Sequence, residues 1–211
     1  MYIAKDTDLH HVFLGTEIQG CTQDIFRSDL RCPICNKSVT YNSKAKHPFE
    51  YFKHEDGSPD CTKSDATSEG HRLPVEVAIK VIHNRIRELS GEPVEINVEK
   101  WIGSAKNHNI ADIRVSSPVC IAAEIFYRAS YLGLSRRLST MFRNGYSAYL
   151  IFNTAGRHEI KKIERDIQRI TPLRIGRFDP YEKEFSLGDL FSGEQIRFDQ
   201  TTREDLPNYL F

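Results

Sequence analysis

The chain has little of what membrane and secreted proteins need. It contains no apolar run near 18 residues, which predicts that no helix spans a membrane. Its N-terminus, "MYIAKDTDLHHVF", lacks the basic and then apolar layout of a signal peptide. Cysteine is scarce, with 5 in 211 residues, so a disulfide scaffold is not expected. These absences together predict a cytoplasmic protein with reduced thiols.

Acidic residues are missing from one long segment. No Asp or Glu occurs from Ile125 to His158, whereas several arginines lie there: Arg128, Arg136, Arg137, Arg143 and Arg157. From Phe178 onward acids outnumber bases, and the formal net charge of the whole chain is zero. This asymmetry is consistent with a basic functional surface whose charge is balanced by an acidic tail. It is equally consistent with two ordinary solvated surfaces.

The most recognisable chemistry lies in "RCPICNKSVTYNSKAKHPFEYFKHEDGSPDC", residues 31–61. Cys32 and Cys35 are separated by two residues, so both thiolates can bind one ion from a single turn. His54 and Cys61 are the best second pair, and the segment has too little apolar material to form its own core. We therefore expect Zn²⁺ at Cys32, Cys35, His54 and Cys61. Four protein ligands leave no open position, so this zinc would be structural.

Other interpretations of these cysteines stay open. A redox pair would need a thioredoxin-like βαβ context, which is absent, but a thiol- or zinc-based sensor remains a weaker alternative. Cys21 or His47 could replace one of the second pair, or the thiols could carry no metal. Cys120, inside "PVCIAAEIF", is expected to be a small core residue.

Periodicity gives the order of elements in the remainder. An amphipathic helix is predicted from the apolar residues Val75, Ala78, Ile79, Ile82, Ile86 and Leu89, with Pro74 in its first turn and Gly91 after its end. Strands follow at 93–99, 110–115 and 119–127, the last two as an antiparallel hairpin. A helix closed by Asn144-Gly145, the strand "SAYLIF", a charged helix at 157–170 and the strand "LRIGRF" complete the series. The crossover predicts that "CIAAEIF" and "SAYLIF" run parallel in a mixed sheet.

Two acids interrupt apolar strands in this series. Asp112 lies in "IADI" and Glu124 in "IAAEI", and the short turn between the strands should bring them together. A buried carboxylate is costly without a partner or a cation. Asp112 and Glu124 could hold a divalent metal, with Glu69 as a third ligand. Alternatively they pair with a base, for which the candidates are Lys80, Arg114 and Arg128.

In combination, "CPIC", "YFKH" with a following cysteine, "SEGH", "IADIRV" and "IAAEIF" resemble the competence protein CoiA-like family, over about residues 25–153. The resemblance implies a zinc-finger-like module fused to a PD-(D/E)xK nuclease domain. The fold class expected is α/β, with a restriction-endonuclease-like core (helix, three strands, helix, strand) and a small N-terminal zinc-binding module. The expected domains are 1–64 (N-terminal strands and zinc module), 65–178 (nuclease-like core) and 179–211 (acidic extension).

The resemblance also assigns residues. Asp112 and Glu124 match the family's metal-binding acids, Glu69 and His71 match the entry to the first helix, and Arg136 or Arg137 matches a helical arginine. The position two after the glutamate, usually Lys or Gln, holds Phe126, which can do neither residue's work. Lys80 and Arg128 are then the candidates to replace that catalytic lysine.

Two functions follow as hypotheses. The first is a nuclease in which Mg²⁺ or Mn²⁺, held by Asp112 and Glu124, activates water for phosphodiester hydrolysis. Its phosphate-binding residues would be Arg128, Arg136, Arg137 and Arg143. Its partner would be nucleic acid, and DNA is the expected kind. The second is a catalytically degenerate nucleic-acid-binding or interaction module on the same fold.

Overall fold

The computed structural model describes residues 3–8, 10–18, 29–42, 51–59, 61, 69–104, 107–126, 131–153, 174–179 and 184–187. The chain divides into two compact units, Met1–Gly91 and Glu92–Phe211. Within the described residues, no helix is both long and apolar enough to cross a bilayer. The division into three domains at 64/65 and 178/179 stays a prediction.

The first unit combines two small sheets with a long helix. Its elements are β1 (Ile3–Asp6), β2 (Val12–Leu14), α1 (Gly15–Ile18), β3 (Leu30–Arg31), β4 (Val39–Asn42), β5 (Tyr51–His54) and α2 (Glu69–Ser90). Strands β2, β1 and β3 form an antiparallel sheet in that order, and β4 pairs with β5 in a separate hairpin. The short strands expected near the N-terminus are thus confirmed.

Helix α2 confirms the amphipathic pattern. Its predicted apolar face is buried at Val75, Ala78, Ile79, Ile82 and Ile86. The helix ends at Ser90, and Gly91, which follows it, has a φ of 70° and donates its N–H to the Arg87 carbonyl at 2.9 Å. That left-handed conformation is open to glycine at little cost.

The start of α2 corrects the prediction for Pro74. The helix begins at Glu69, so Pro74 lies inside it, beyond the first turn. Proline has no N–H, and the hydrogen bond from residue 74 to the carbonyl of residue 70 is therefore missing. Pro74 was expected in the first turn because the apolar repeat begins only at Val75.

A side-chain amide joins α2 to strand β2. Asn84 is buried; its Oδ1 accepts the Val12 N–H at 2.8 Å and its Nδ2 donates to the Val12 carbonyl at 2.9 Å. The same amide donates to His11 Nε2 at 2.9 Å and accepts from His83 Nδ1 at 3.2 Å. Burial lowers the pKa of His83 to about 4, so this ring is neutral near pH 7. Asn84 therefore satisfies backbone groups that a neighbouring strand would otherwise satisfy.

The second unit is built on one mixed sheet. Its elements are β6 (Glu95–Ser104), β7 (Asn107–Ser117), β8 (Ile121–Phe126), α3 (Tyr131–Arg143), β9 (Ser147–Asn153), β10 (Arg174–Asp179) and β11 (Glu184–Leu187). The strand order is β11-β10-β9-β8-β7-β6. Strand β8 runs antiparallel to β7 and parallel to β9, which in turn is parallel to β10.

These pairings confirm the mixed α/β prediction, the hairpin and the parallel crossover. The predicted strand at 173–178 corresponds to β10, and β11 is an additional strand in the C-terminal part that no motif indicated. The helix predicted at 157–170 lies outside the described residues. The order of elements from α2 to β9 is helix, three strands, helix, strand, as the sequence predicted.

Helix α3 covers one part of this sheet. Its apolar side chains pack with residues of the strands in one buried cluster: Ile102, Ala111, Ala122, Phe126, Leu134, Leu138, Met141, Ala148 and Leu150. Asn144-Gly145 closes the helix as predicted, with Gly145 at a φ of 77°. The Tyr146 N–H donates to the Met141 carbonyl at 3.0 Å.

We expect Asn84→Ala to lower the free energy of unfolding of the first unit by roughly 2 kcal/mol, because it leaves the buried N–H and carbonyl of Val12 without these partners. Urea unfolding monitored by circular dichroism measures this difference. Arg85→Ala is the control, since Arg85 is exposed and its ion pair with Glu88 contributes little. Equal loss in both variants would contradict the role given to the amide.

Candidate metal centres

Cys32 and Cys35 lie on a tight turn between β3 and β4. The Cys32 N–H donates to the Lys37 carbonyl at 2.8 Å, and the Asn36 N–H donates to the Cys32 carbonyl at 2.9 Å. Asn36 has a φ of 60°, a conformation that asparagine tolerates better than most residues. The Ile34 N–H points at Cys32 Sγ, 3.4 Å away. The backbone thus turns both sulfurs toward one side.

The turn brings four candidate ligands together. The ligand atoms of Cys32, Cys35, His54 and Cys61 all lie within 4.8 Å of one another. Cys35 Sγ is 3.3 Å and Cys61 Sγ 3.9 Å from His54 Nε2. Ligands around a tetrahedral zinc lie about 3.5–3.8 Å apart, given metal–ligand bonds of about 2.0–2.3 Å. This cluster could hold a metal ion such as zinc.

The hairpin that carries His54 also orients its ring. His54 Nδ1 lies 3.3 Å from the Ser58 carbonyl, which suits an Nδ1–H donor and leaves the Nε2 lone pair directed at the sulfurs. Asp56 holds the intervening turn by accepting the Ser58 N–H at 2.9 Å. Lys37 binds Asp56 at 2.8 Å and so ties the cysteine turn to this hairpin.

The surroundings of Cys32 determine the protonation state of its thiol. Cys32 is buried, and burial raises the pKa of its thiol well above the ordinary value, with the neighbouring Cys61 and Cys35 adding to the increase. Without a cation the thiol stays protonated near pH 7. A bound metal would offset the repulsion and stabilise thiolates, since metal binding and thiol deprotonation are coupled.

The alternatives for the second pair of ligands, Cys21 and His47, lie outside the described residues. Cys120 is exposed rather than buried, so its prediction as a core residue was wrong. It precedes β8 by one residue, at the start of the apolar run "VCIAAEIF" and outside the buried part of the strand. Periodicity could not distinguish this position from those inside the strand.

Asp112 and Glu124 come together at the end of the β7–β8 pairing. The last paired residues of this ladder are Ile113 and Ala123; Asp112 directly precedes Ile113 on β7, and Glu124 directly follows Ala123 on β8. Beyond that point, the Ile125 N–H donates to Asp112 Oδ2 at 2.7 Å. An acidic side chain therefore satisfies a strand donor where backbone pairing has stopped.

Glu124 is fully buried and has two polar partners. Asn109 Nδ2 donates to its Oε1 at 2.6 Å, and Arg137 Nη1 donates to its Oε2. Burial in the first place, and then the nearby Asp112, raise the pKa of Glu124 to about 7, against the opposing effects of Arg137 and Asn109. A carboxyl that titrates near neutral pH beside a second acid is typical of functional sites.

Phe126 takes part in this arrangement through Arg137. The guanidinium carbon of Arg137 lies 5.8 Å from the centre of the Phe126 ring, within the range of a cation–π contact. Phe126 itself is buried, whereas the Arg137 side chain is 45% exposed. The residue at the expected lysine position thus supports a cation supplied by α3.

The remaining predicted catalytic residues have other partners or are not described. Lys80 forms an ion pair with Glu17 inside the first unit. Glu69 begins α2, but its side chain lies outside the described part of the chain, as does all of Arg128. Their catalytic roles stay predictions. Arg136 and Arg143 are exposed on α3.

Sequence reasoning missed one residue of this site. Asn109 lies in "HNIAD" near the start of β7, and nothing in its spacing singles it out as a partner of Glu124. Within the described residues, the Cys/His cluster is the one group of three or more His, Cys, Asp or Glu side chains near enough to share a metal. Asp112 and Glu124 form a pair.

No protein-family model matches this chain, nor does any curated protein or solved structure. The two candidate centres are therefore characterised by their geometry.

Removing one cluster ligand should remove a bound metal. We expect the purified protein to carry about one equivalent of zinc, and Cys61→Ser to lose most of it, since three remaining ligands hold zinc less tightly than four. Mass spectrometry of the metal content measures this. Cys120→Ser is the matched control, because Cys120 is a free cysteine outside the cluster. Zinc retained equally by both variants would argue against the site.

The pKa of Glu124 predicts a pH dependence of stability. A carboxyl with a pKa of 4.5 unfolded and about 7 folded binds its proton more tightly in the folded state. Its contribution to the free energy of unfolding is therefore full below about pH 4.5 and is lost as pH rises through 7. We expect wild type to lose on the order of 3 kcal/mol relative to Glu124→Gln across this window.

Urea unfolding at several pH values, in EDTA, measures this relative loss. Glu95→Gln provides the comparison, because Glu95 is exposed in the same unit and should follow the wild-type profile. Parallel profiles for wild type and Glu124→Gln would contradict a raised pKa.

Proposed function

We propose that this chain is a metal-dependent nuclease-like protein that hydrolyses phosphodiester bonds in nucleic acid, with DNA as the expected substrate. The observation that carries the proposal is the meeting of Asp112 and Glu124 where β7 and β8 stop pairing. Two acids on neighbouring strands of one sheet, one of them buried with a raised pKa, are a suitable binding pair for a divalent cation.

The order and pairing of elements support a restriction-endonuclease-like core. A helix precedes an antiparallel set of three strands, and a second helix leads to a strand parallel to the third. The resemblance to the CoiA-like family matches Asp112 and Glu124 to that family's metal-binding acids, and here they lie on the neighbouring strands β7 and β8.

The donor atoms of the pair suit a hard cation. Mg²⁺ and Mn²⁺ take oxygen ligands, and Mg²⁺ is commonly bound through one or two carboxylates plus water. When bound, such an ion would supply a Lewis acid for the phosphate and a lowered pKa for water. In this proposal Asp112 and Glu124 hold the ion, and the exposed Arg136 and Arg143 on α3 neutralise phosphates of the substrate.

The Cys/His cluster has a supporting role in the proposal. With Cys32, Cys35, His54 and Cys61 as ligands, Zn²⁺ would have a closed tetrahedral shell and no position for substrate. The ion would then be structural, joining the cysteine turn to the β4–β5 hairpin and to Cys61. Two such short elements have little core of their own, and a metal would stabilise them.

A second candidate function is a catalytically degenerate module that binds nucleic acid without cleaving it. The observation that favours it is the state of Glu124, whose carboxylate already has a cationic partner in Arg137. Phe126 adds to it, because a phenylalanine cannot replace the lysine or glutamine expected there. Binding would then depend on the arginines of α3 and weaken steeply with salt.

Cleavage assays on single- and double-stranded DNA and RNA with Mn²⁺ or Mg²⁺ test the nuclease. We expect wild type to cleave, and Asp112→Asn and Glu124→Gln to lower the rate by more than about a hundredfold, because loss of the outer partners of metal ligands alone costs about 10–100-fold. Glu95→Gln, an exposed carboxylate lost from the same unit, should cleave like wild type.

Equal cleavage by wild type and both site variants would contradict the proposal. No cleavage by any form, together with nucleic-acid binding that falls steeply with ionic strength, would identify the second candidate instead. Binding that does not change with salt would argue against both.

A further inference from the structure

Arg137 occupies the cationic position of the carboxylate pair. Its Nη1 donates to Glu124 Oε2, and its guanidinium lies over the Phe126 ring. Among the described residues, these two side chains are its partners. The two side chains of the ion pair differ in exposure, since that of Glu124 is 1% exposed and that of Arg137 45% exposed. The acid is thus fixed in the interior, whereas its counter-ion lies at the surface.

Both carboxylate oxygens of Glu124 are engaged. Asn109, a neutral donor, donates a hydrogen bond to Oε1 at 2.6 Å, and Arg137 donates one to Oε2. A divalent cation that uses Glu124 must therefore share or replace one of these donors. Arg137 is the competitor that matters, because two cations at one oxygen repel each other more strongly than a cation and an amide do.

A cation–π contact with Phe126 also stabilises the position of Arg137. A guanidinium over an aromatic face gains electrostatic attraction and keeps a planar contact that aliphatic side chains do not offer. Because Arg137 is half-exposed, its side chain can leave Glu124 for solvent without opening the buried cluster to which Phe126 belongs. Arg137 can therefore compete with a divalent cation for Glu124, and its side chain can also move away when such a cation binds.

We propose that Arg137 is the resident counter-ion of Glu124, held by Phe126, and that a divalent cation binds the Asp112–Glu124 pair only by displacing it. This rests on the proposed function, since it assumes that the pair binds a cation. It assigns Arg137 a regulatory role: the arginine sets how much divalent cation is needed to occupy the site.

The affinity for Mn²⁺, measured by electron paramagnetic resonance on the full chain supplied with zinc and no nucleic acid, tests this. We expect Arg137→Gln to bind Mn²⁺ about tenfold more tightly than wild type, the effect of losing one charged hydrogen bond of about 1.5 kcal/mol. Arg136→Gln is the matched control: it removes the same charge from the neighbouring residue, which is exposed. It should change the affinity by less than about twofold, because exposed charges are screened.

Phe126→Leu provides a test at constant charge. It removes the aromatic face and keeps an apolar side chain in the cluster, so Arg137 should be held less firmly and Mn²⁺ should bind a few-fold more tightly. Thermal unfolding of each variant verifies that it is folded. Asp112→Asn identifies the Mn²⁺ signal that belongs to the pair, since this variant should lose it.

The outcomes separate the inference from the function on which it rests. Equal Mn²⁺ affinity in wild type and Arg137→Gln, or an equal gain in Arg136→Gln, would overturn the inference and leave the metal site standing. No Mn²⁺ signal that depends on Asp112, in any variant, would overturn both. Binding seen only in Arg137→Gln would support the counter-ion role and would indicate a wild-type site that arginine keeps closed to metal.

Discussion

A carboxylate buried beside a second carboxylate is the constraint around which the described part of the second unit is arranged. Water is excluded from Glu124, so its charge must be stabilised by fixed groups, and each comes from a different element. Asn109 lies near the start of β7 and Arg137 on α3, and each donates to one oxygen. Burial, and after it the nearby Asp112, work against them, which leaves the pKa of Glu124 near 7. Where a purely structural acid would be fully neutralised, this one retains an unfavourable neighbour, as sites that bind cations often do.

The sequence was most informative where a physical period or a ligand geometry is regular. The apolar residues of α2 repeat every three to four positions, and the short turn between β7 and β8 forces an antiparallel hairpin, so both elements could be predicted. The four Cys/His residues could be grouped because a tetrahedral metal site restricts ligand type and spacing. The adjacency of Asp112 and Glu124 followed from the hairpin.

What could not be predicted depends on side-chain contacts between different helices and strands, which no local sequence pattern records. No local pattern connects Asn84 with Val12, although that amide replaces a strand partner. Arg137 was identified for its charge and assigned to nucleic acid, but its contact with Glu124 requires the register of α3 on the sheet. Phe126 was interpreted only as a lost lysine, because a ring that supports an arginine from another element leaves no trace in spacing. The prediction that Cys120 is a core residue was wrong because β8 begins one residue after it.

The groups around Glu124 share one property: they come from a single continuous stretch, Asn109 to Arg137, that spans one hairpin and part of one crossover. Contacts of such short separation form early when a chain folds, because little loop entropy is lost in closing them. The packing of Asn109, Asp112 and Arg137 around Glu124 therefore does not have to wait for strand β10, which joins the sheet from much farther along the chain.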